Sequence, residues 1–257
     1  MASLRSRLEE RGYSLAARAI LDSKLTIALT GAGISVPSGI PDFRSPTGLW
    51  TRFSIVDYGT IAAFRRAPEM VWQMLKELRK TVGKARPNSA HLALAELESM
   101  GRLHAVITQN IDHLHHEGGS KDVIEFHGSC SGFNCVFCGR SAPVDGSWGV
   151  EFRDEIPYCE CGRPLKPDIV LFGEQLPPAA LDRSFSLAQR ADLILVIGTS
   201  AEVAPASEIP VVVKSHGGRL IEMNLAETEL SHMADFRLPG DVSDTLPRLV
   251  EAVRMAG

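Results

Sequence analysis

Short runs of apolar and β-branched residues alternate along this chain with longer segments in which apolar residues recur every three or four positions. The short runs predict strands buried on both faces, and the longer segments predict helices that bury one face. We predict strands at 25–29, 103–108, 123–126, 169–172, 193–197, 219–223 and 236–238. We predict helices at 3–22, 69–82, 90–100, 178–190, 206–216 and 244–255, with a further short helix inside 55–66. Because strands and helices alternate, the pattern predicts an α/β fold built on a doubly wound parallel sheet.

A glycine turn, Gly31-Ala32-Gly33, follows the first predicted strand without a break. Glycine tolerates positive φ and has no Cβ, so backbone N–H groups in such a turn can approach a ligand closely. A turn of this kind between a strand and a helix suits a pyrophosphate. A tight connection between strand and helix, with no ligand, is the alternative that this pattern leaves open.

The residues after this turn depart from the usual dinucleotide fingerprint, G-x-G-x-x-G. Its third glycine would fall at position 36, which is Val36. Pro37 and Pro41 also disfavour a continuous helix from Ser35, because proline lacks an N–H donor and restricts the residue before it. We therefore expect a phosphate-contacting turn followed by a loop. That loop carries Asp42, Phe43 and Arg44.

Between residues 130 and 166, cysteines, glycines and turn-forming residues replace the periodic segments. Two close-spaced pairs stand in this stretch, Cys135 with Cys138 (CxxC) and Cys159 with Cys161 (CxC). Four thiolates around one tetrahedral zinc ion, with no open position, form the pattern of a structural site. We expect a small zinc module inserted in a larger fold, and four free thiols are the alternative. Because the second pair is shorter than usual, Cys130 is a spare candidate ligand.

Polar residues stand where two predicted strands end. The strand at 103–108 is followed by Gln109, Asn110 and Asp112, and the strand at 123–126 runs directly into His127. Open α/β sheets bind ligands at the carboxyl ends of their strands, where such side chains can orient a sugar or a water molecule. Histidine, with a reference pKa of about 6.5, can accept a proton at neutral pH. Taken alone, each of these residues also fits an ordinary turn or a packing role.

The composition is that of an ordinary globular protein with no strong charge bias. Of the 257 residues, 44% are hydrophobic and 23% are charged, and the formal net charge is −4. This acidic balance argues against a nucleic-acid binder held by phosphate contacts. No apolar run reaches the length of a membrane span, and the N-terminus lacks the apolar core of a signal peptide. Together with cysteines spaced for metal rather than for disulfides, these features predict a cytoplasmic protein with no membrane or nucleic-acid partner.

Several short motifs follow one another in order along the chain: 30–35 (TGAGIS), 39–44 (GIPDFR), 108–113 (TQNIDH), 126–129 (FHGS), the two cysteine pairs and 167–174 (PDIVLFGE). Together they resemble the sirtuins, NAD-dependent protein-lysine deacetylases and deacylases, with a catalytic core of the bacterial or archaeal type. The resemblance implies a Rossmann-like large domain at 1–42, 86–128 and 166–257. It also implies a smaller domain with a helical part at 43–85 and a zinc-ribbon part at 129–165, and an active site between the two domains.

The resemblance implies roles toward NAD, an acyl-lysine substrate and one structural zinc ion. His127 would be the general base, with Asn110 and Asp112 as further catalytic residues. The NAD-binding residues would be Gly31, Ala32, Gly33, Ser35, Asp42, Phe43, Arg44, Gln109, Asn110, Asp112, His127, Gly198, Thr199, Ser200, Asn224 and Val242. The acyl-lysine protein or peptide would add by backbone pairing to a strand at 169–174 and contact Phe43, Ile169, Val170, Phe172, Gly173 and Glu174. The zinc ligands would be Cys135, Cys138, Cys159 and Cys161.

The implied reaction transfers the acyl group from lysine to ADP-ribose and releases nicotinamide, with His127 as base toward a ribose hydroxyl. Desuccinylating relatives carry a Tyr-x-x-Arg pair on a helix of the small domain, and Leu75 and Leu78 stand at those positions here. Arg79 is one residue away, about 100° round a helix. We therefore expect acetyl or longer fatty acyl groups to be preferred over succinyl. We also expect residues 35–49 to change order when NAD binds.

Two places at the adenosine end depart from the family pattern. Leu225 and Ala226 follow Asn224, with no acid nearby to bind a ribose. Ala201 and Glu202 follow the turn at 198–200, where the family more often has apolar residues. We expect the contacts to adenosine or to the peptide to differ from those of relatives at these places.

Two other functions fit parts of the same pattern. A mono-ADP-ribosyltransferase would use the same cofactor but transfer ADP-ribose to protein. His127 together with Asn110 and the 167–174 motif favours deacylation instead. A non-catalytic zinc-ribbon module that binds protein or nucleic acid is opposed by the acidic balance and by the complete set of cleft residues.

Overall fold

The structure is a computed structural model, and it describes residues 2–43, 45–46, 48–143 and 156–257. In these residues the strands are β1 (Thr26–Thr30), β2 (Ala105–Thr108), β3 (Val123–Glu125), β4 (Gly128–Asn134), β5 (Ser141–Pro143), β6 (Lys166–Ile169), β7 (Leu193–Ile197), β8 (Arg219–Met223) and β9 (Phe236–Arg237). The α-helices are α1 (Ala2–Asp22), α2 (Ile55–Tyr58), α3 (Ile61–Arg66), α4 (Pro68–Val82), α5 (Ser89–Ser99), α6 (Leu114–Glu117), α7 (Pro178–Ala188), α8 (Glu208–Ser215) and α9 (Val242–Ala256). Short 3₁₀ helices lie at Ala32–Ile34, Val36–Ser38, Leu49–Thr51 and Ser231–Met233. Among these described helices, none combines the length and the apolar character needed to cross a membrane.

Six strands form one parallel sheet in the order β3-β2-β1-β7-β8-β9. The strands that follow β1 in sequence, β2 and β3, lie on one side of it. The later strands, β7, β8 and β9, lie in order on its other side. The strand order therefore reverses between β1 and β7, and open α/β sheets bind ligands at the carboxyl ends of the strands at such a switch point. The predicted α/β fold with a doubly wound parallel sheet is confirmed.

Apolar side chains from the two faces of this sheet enter two separate cores. On one face, Ala28 and Leu195 pack with residues of α1, α5 and α9. On the other face, Ile27 and Ile194 pack with residues of α7 and α8. Neighbouring residues of one strand thus belong to different cores, which explains why these strands are apolar without alternation.

A second, antiparallel sheet has the order β5-β4-β6. Its residues share a third core with α3 and α4, in which Phe64, Trp72 and Phe133 are buried. The Trp72 indole N–H donates to the Leu165 carbonyl at 2.9 Å and so joins α4 to the residue before β6. Helices α3 and α4 therefore pack against the antiparallel sheet.

The strand predicted at 169–172 requires a correction. The sequence pattern places it among the elements of the parallel sheet, but β6 begins at Lys166 and pairs antiparallel with β4 in the small sheet. Pro167 fits there because β6 is an edge strand, where proline removes no necessary ladder bond. Beyond β6 the apolar run leaves the sheet and crosses to the cavity described below, with Val170 N–H donating to the His127 carbonyl at 2.8 Å. Periodicity alone does not distinguish a buried connection of this kind from a strand.

Candidate active site

A cavity of about 630 Å³ opens at the carboxyl edge of the parallel sheet, where the strand order reverses. The strand register explains why polar residues meet there, because Thr30 lies beside Thr108 on one neighbouring strand and beside Ile197 on the other. The segments that follow these three residues therefore leave the sheet side by side. The lining includes these predicted site residues: Gly31, Ala32, Gly33, Asp42, Phe43, Gln109, Asn110, His127, Ile169, Val170, Phe172, Gly173, Glu174, Gly198, Thr199, Ser200, Asn224 and Val242.

Other predicted site residues are placed differently. Ser35 and Asp112 line a separate pocket of about 20 Å³ next to the cavity. Asn110 lines both spaces and so connects them. Arg44, predicted to contact the cofactor, lies outside the residues that the structure describes.

The glycines of the 31–33 turn are required by a close approach between two strand ends. Gly31 is extended (φ −128°, ψ −170°), a conformation open to any residue. A Cβ on Gly31 would lie 2.7 Å from the Thr199 Cβ, and one on Gly33 would lie 2.8 Å from the Gly198 Cα. The turns after β1 and β7 therefore touch backbone to backbone, and the absence of side chains matters more here than freedom of φ.

Hydrogen bonds within the protein already use most donors of this turn. Gly31 N–H donates to the Ile197 carbonyl at 3.1 Å, and Gly33 N–H donates to the Gly198 carbonyl at 2.8 Å. The donor that this leaves for a ligand is the N–H of Ala32. The two glycines thus allow the turns after β1 and β7 to lie close together, and the N–H of Ala32 is the donor that this turn offers to a ligand.

No continuous helix follows this turn in the described residues, as Pro37 and Pro41 predict. Two short 3₁₀ helices, Ala32–Ile34 and Val36–Ser38, stand in its place. The second ends at Gly39, whose φ of 87° is in the left-handed region that favours glycine. The chain is thereby turned toward the cavity.

A buried hydrogen-bond network fixes the residues behind the cavity. Ser35 Oγ donates to Asp112 Oδ2 at 2.6 Å and accepts from Asn110 Nδ2 at 3.1 Å. Asn110 Nδ2 also donates to the Gly31 carbonyl at 3.2 Å. Asp112 Oδ1 accepts the N–H of Leu114 at 3.0 Å and so holds the start of α6. Since both N–H groups of the Asn110 amide are used, its carbonyl oxygen is the atom left to accept from a ligand.

His127 directly precedes β4, and its ring is held by a backbone carbonyl. Its Nδ1 lies 3.1 Å from the Gln109 carbonyl oxygen. A carbonyl only accepts, so Nδ1 carries the proton and Nε2 is the basic nitrogen of the neutral ring. Burial lowers the pKa of His127, and the hydrogen bond to Gln109 opposes this shift in part. The ring is therefore neutral at pH 7 and able to accept a proton at Nε2.

Thr199 connects three strand ends on the polar side of the cavity. Its Oγ1 accepts from Gln109 Nε2 at 2.9 Å and from Ala201 N–H at 3.2 Å. Its carbonyl accepts from Asn224 Nδ2 at 3.2 Å. The ends of β2, β7 and β8 are thereby held in one arrangement.

An acid does lie near Asn224, contrary to the expectation from Leu225 and Ala226. Glu227 lines the cavity, and its carboxylate accepts from Arg237 of β9 at 2.7 Å. The expectation considered only Leu225 and Ala226, whereas Glu227 is the next residue along the chain and lines the cavity with them. The nearby acid is thus paired with a cation of the neighbouring strand.

Aromatic rings form the opposite, apolar side of the cavity. Phe43 and Trp50 stack with centroids 5.6 Å apart, and Trp50 is tilted against Phe172 at 6.2 Å. Trp50 was missed by sequence reasoning, because its neighbours read as a plain loop. The backbone N–H of Trp50 donates to the Phe43 carbonyl at 3.0 Å, which brings the two ends of the loop together.

Helix α4 contributes to the same apolar side. Met74 and Leu78 line the cavity, whereas Leu75 is fully buried in the third core. Of Leu75 and Leu78, the two positions expected to bear on acyl preference, only Leu78 therefore borders the cavity. No role was predicted for Met74, because its spacing is equally that of a core residue.

The segment 170–174, here called the strap, is anchored by a buried lysine. Lys166 Nζ donates to the carbonyls of Pro167 at 2.8 Å and Ile169 at 2.5 Å, and lies 3.3 Å from Glu174 Oε2. The same Glu174 oxygen accepts the N–H of Leu171 at 2.7 Å. Burial lowers the pKa of Lys166, and Glu174 opposes that shift. Lys166 was not predicted as a site residue; the available signal was a lysine inside an otherwise apolar stretch.

The four predicted cysteines come together at the end of the small sheet. One Sγ atom from each of Cys135, Cys138, Cys159 and Cys161 lies within 4.8 Å of the others. The Cys135–Cys161 and Cys138–Cys159 sulfur pairs are each 3.6 Å apart. Four sulfurs at about 2.3 Å from a tetrahedral zinc ion would be about 3.8 Å apart, so this donor set fits zinc. Cys130 is buried in the third core, where burial raises the pKa of its thiol, and it is not part of the cluster.

The fold and this site define an α/β protein with a switch-point cavity of the kind that binds dinucleotides. Residues 31–205 match the model of the Sir2 family. The chain is 46% identical over 241 residues to an NAD-dependent protein deacylase of Pyrococcus abyssi, covering 93% of this chain and 96% of the relative. It is 47% identical over 235 residues to an NAD-dependent protein deacylase of Pyrococcus furiosus, covering 90% and 94%. The chain belongs to the Sir2 family, the sirtuins, as its motifs predict.

Solved structures agree with this assignment. A Sir2 homologue in complex with ADP-ribose aligns with a TM-score of 0.88 at 43% identity, covering 93% of this chain and 96% of the other. A Sir2 homologue in complex with NAD aligns with a TM-score of 0.86 at 44% identity, covering 93% of both. A Sir2 complex with a p53 peptide and NAD aligns with a TM-score of 0.81 at 39% identity, covering 93% and 97%.

Proposed function

We propose that this protein is an NAD-dependent protein-lysine deacylase, which transfers an acyl group from lysine to ADP-ribose and releases nicotinamide. The observation that carries the proposal is the state of His127, which lines the cavity with its Nδ1 proton bound to the Gln109 carbonyl. A neutral histidine with a basic Nε2 at this place suits the deprotonation of a ribose hydroxyl. The names of relatives at 46% and 47% identity support the same activity.

NAD would occupy the cavity and supply a ribose carbon made electrophilic by its nicotinamide leaving group. The N–H of Ala32 would donate to the pyrophosphate, while Gly31 and Gly33 leave its backbone open to approach. The turn after β7, formed by Gly198, Thr199 and Ser200, would hold the adenosine half together with Asn224 and Val242.

The network behind the cavity would orient the reacting groups. The Asn110 carbonyl oxygen would accept from a ribose hydroxyl or from the nicotinamide amide, because its N–H groups are held by Gly31 and Ser35. Asp112 accepts from Ser35 and from the backbone of α6. We therefore assign Asp112 a positioning role, through which it keeps Asn110 and the start of α6 in place.

The apolar side would receive the acyl-lysine of a protein substrate. Phe43, Trp50 and Phe172 form an apolar surface, against which a weak nucleophile such as an amide oxygen would be positioned toward the ribose. The strap would pair with the backbone of the peptide, as in other proteins that bind an added strand. Leu78 places an apolar group where desuccinylating relatives have a cation. We expect acetyl or longer fatty acyl groups to be preferred over succinyl.

The cysteine cluster would hold one structural zinc ion and maintain the small sheet. Four thiolates leave no open position, so the chemistry is assigned to the residues of the cavity. Reduced cysteines are needed for this site, which favours a reducing compartment such as the cytoplasm. We also retain the division into a large domain at 1–42, 86–128 and 166–257 and a small domain at 43–85 and 129–165.

The decisive experiment supplies an acetyl-lysine peptide and NAD and measures three products. We expect nicotinamide, deacetylated peptide and acetyl-ADP-ribose in equal amounts, because each turnover makes one of each. Transfer of ADP-ribose label to protein at a higher rate than deacetylation would instead establish the mono-ADP-ribosyltransferase. No nicotinamide release with any acyl peptide would contradict both enzymes. Hydrogen exchange of 35–49, compared with and without NAD, would test the expected ordering of that loop.

A further inference from the structure

Two histidines and a glutamate meet at the edge of the parallel sheet, away from the cavity lining. His113 Nδ1 lies 3.2 Å from Glu125 Oε1, and His116 Nε2 lies 3.9 Å from the same oxygen. One ligand atom from each of the three side chains lies within 4.8 Å of the others. The deacylation chemistry proposed above uses none of the three residues.

Local structure explains why these side chains meet. His113 immediately precedes α6 and His116 lies three residues later, so both side chains leave one side of a helical turn. Their rings stack with centroids 4.4 Å apart. Glu125 ends β3, which pairs with β2 just before the chain reaches His113. His113 has a φ of 64°, a left-handed conformation that few residues other than glycine adopt.

The separations between the three ligand atoms, which also form ion pairs in the absence of a metal, are compatible with one shared metal ion. Ligand atoms about 2.1 Å from one metal ion, at tetrahedral or octahedral angles, are about 3.0–3.4 Å apart. The His113–Glu125 separation of 3.2 Å already lies in this range. The His116–Glu125 separation of 3.9 Å reaches it after a small rotation of the His116 ring. Such a rotation is open to these side chains, since those of His113 and His116 are 42% and 32% exposed.

The local charge also favours a cation. Glu125 forms the hydrogen bond that raises the pKa of His113, with Glu117 and Asp112 acting in the same direction. Burial, followed by the charge of His113, lowers the pKa of His116.

We propose that His113, His116 and Glu125 form a binding site for one divalent transition-metal ion, such as Ni²⁺, Co²⁺ or Zn²⁺, distinct from the cysteine cluster. Two imidazoles and one carboxylate suit these ions, whereas Mg²⁺ and Ca²⁺ prefer oxygen ligands alone. Three protein ligands leave further coordination positions to water or an exogenous ligand. The site stands independently of the deacylase activity, because its residues are separate from the cavity.

The test titrates Ni²⁺ into the untagged full chain, after zinc has been loaded into the cysteine cluster, and follows binding by calorimetry. We expect one equivalent of Ni²⁺ to bind, with no release of zinc and no comparable binding of Mg²⁺. His113→Asn keeps a residue that tolerates the left-handed conformation, and His116→Gln keeps the size of the side chain. Each variant should weaken Ni²⁺ binding at least ~10-fold, since even the loss of a residue that only hydrogen-bonds to a metal ligand has an effect of that size.

His104→Ala provides the matched control, because His104 is an exposed histidine at the opposite end of β2. It should bind Ni²⁺ like the unchanged chain. Absence of Ni²⁺ binding in the unchanged chain would overturn the proposal. Equal binding in the His113 and His116 variants, verified as folded by circular dichroism, would also overturn it, as would loss of binding in the His104 variant.

Discussion

The two sides of the cavity are held by different forces. On the polar side, Gln109, Thr199 and Asn224 are joined by hydrogen bonds of 2.9 to 3.2 Å between the ends of buried strands. On the apolar side, the side chains of Phe43, Trp50 and Phe172 meet through ring contacts, and only the backbones of the loop and the strap that carry them are hydrogen-bonded. Hydrogen bonds are directional, whereas apolar packing tolerates small displacements.

This difference indicates that the polar side serves the proposed chemistry and the apolar side serves the proposed acyl selectivity. A base such as His127 must hold its angle toward one hydroxyl, and the polar side provides a fixed carbonyl for that purpose. An acyl chain only has to be enclosed, and stacked rings do this for chains of several lengths. Substitutions on the polar side should therefore reduce the rate of deacylation. Substitutions on the apolar side should alter the choice of acyl substrate or the stability of the fold.

The largest effect should come from the cysteine cluster, because the apolar side rests on the small sheet. Cys159→Ala should release zinc, and a structural zinc ion is worth about 10–16 kcal/mol in small metal-folded peptides. Hydrogen exchange should then show lost protection in β4 and β6, with β1 and β7 still protected. Cys130→Ala is the control and should retain one zinc ion. A folded, zinc-containing Cys159→Ala protein would contradict the assignment of this ligand.

The next effect should come from His127 on the polar side. His127→Ala should lower deacylation by about 10²–10⁴, the usual contribution of a general base, while NAD affinity changes little. The measurements are single-turnover deacylation and NAD titration by calorimetry. His232→Ala, at an exposed histidine far along the chain, is the control and should keep full activity. Undiminished turnover in His127→Ala would remove this residue from its role.

The strap should show a third, smaller effect. Lys166→Met removes the partner of Glu174 and leaves a partly buried carboxylate, which should cost about 3 kcal/mol in the free energy of unfolding. Urea unfolding measures this, and the KM for peptide should rise more than kcat falls, because the strap is displaced. Adding Glu174→Gln should restore most of the stability. If the double variant is no more stable than Lys166→Met, the ion pair is not what anchors the strap.

Acid should destabilise the region behind the cavity, where α5 and α6 carry the buried histidines His91 and His115. His91 is fully buried, and burial, opposed by Asp112, lowers its pKa to about 4. Unfolded His91 would bind a proton below about pH 6.5, so folding stability is complete above that value and is lost as the pH falls toward 4. By pH 5 the loss should be about 2 kcal/mol from this residue.

Unfolding measured at pH 7 and pH 5 tests this effect, with His91→Gln as comparison. The glutamine side chain of this variant does not titrate, so its drop in stability between the two pH values should be smaller. His115 should add to the drop in both proteins, because burial lowers its pKa well below the usual value. Identical drops in the two proteins would show that His91 does not titrate on unfolding.

The smallest effect should be on acyl preference. The unchanged chain should deacetylate faster than it desuccinylates, and Leu78→Arg should raise the succinyl-to-acetyl ratio about 10-fold through a charge-assisted contact with the succinyl carboxylate. Leu78→Met, which keeps an apolar group, is the control. Comparable rates of the unchanged chain on succinyl and acetyl peptides would contradict the apolar pocket.

Sequence reasoning predicted those parts of the molecule that depend on neighbouring residues. Strands β1 and β7, the break after Gly33 and the cysteine pairs follow from apolar runs, prolines and spacing. Trp50 and Lys166 were missed because their roles depend on partners brought in by the fold, Phe172 and Glu174. Gly31 shows the same limit: its importance was predicted from the freedom of φ and from the approach of a ligand to a residue without Cβ, whereas in the structure Thr199 makes that close approach.

The backbone contact between Gly33 and Gly198 has a consequence for engineering. Two loops that touch with no side chain between them cannot be exchanged one at a time, because a graft of either would meet an unmatched partner. Anyone transplanting this binding edge into another α/β scaffold should move both turns as one cassette, together with the spacing of β1 and β7. A library that randomises either loop alone should yield few folded clones.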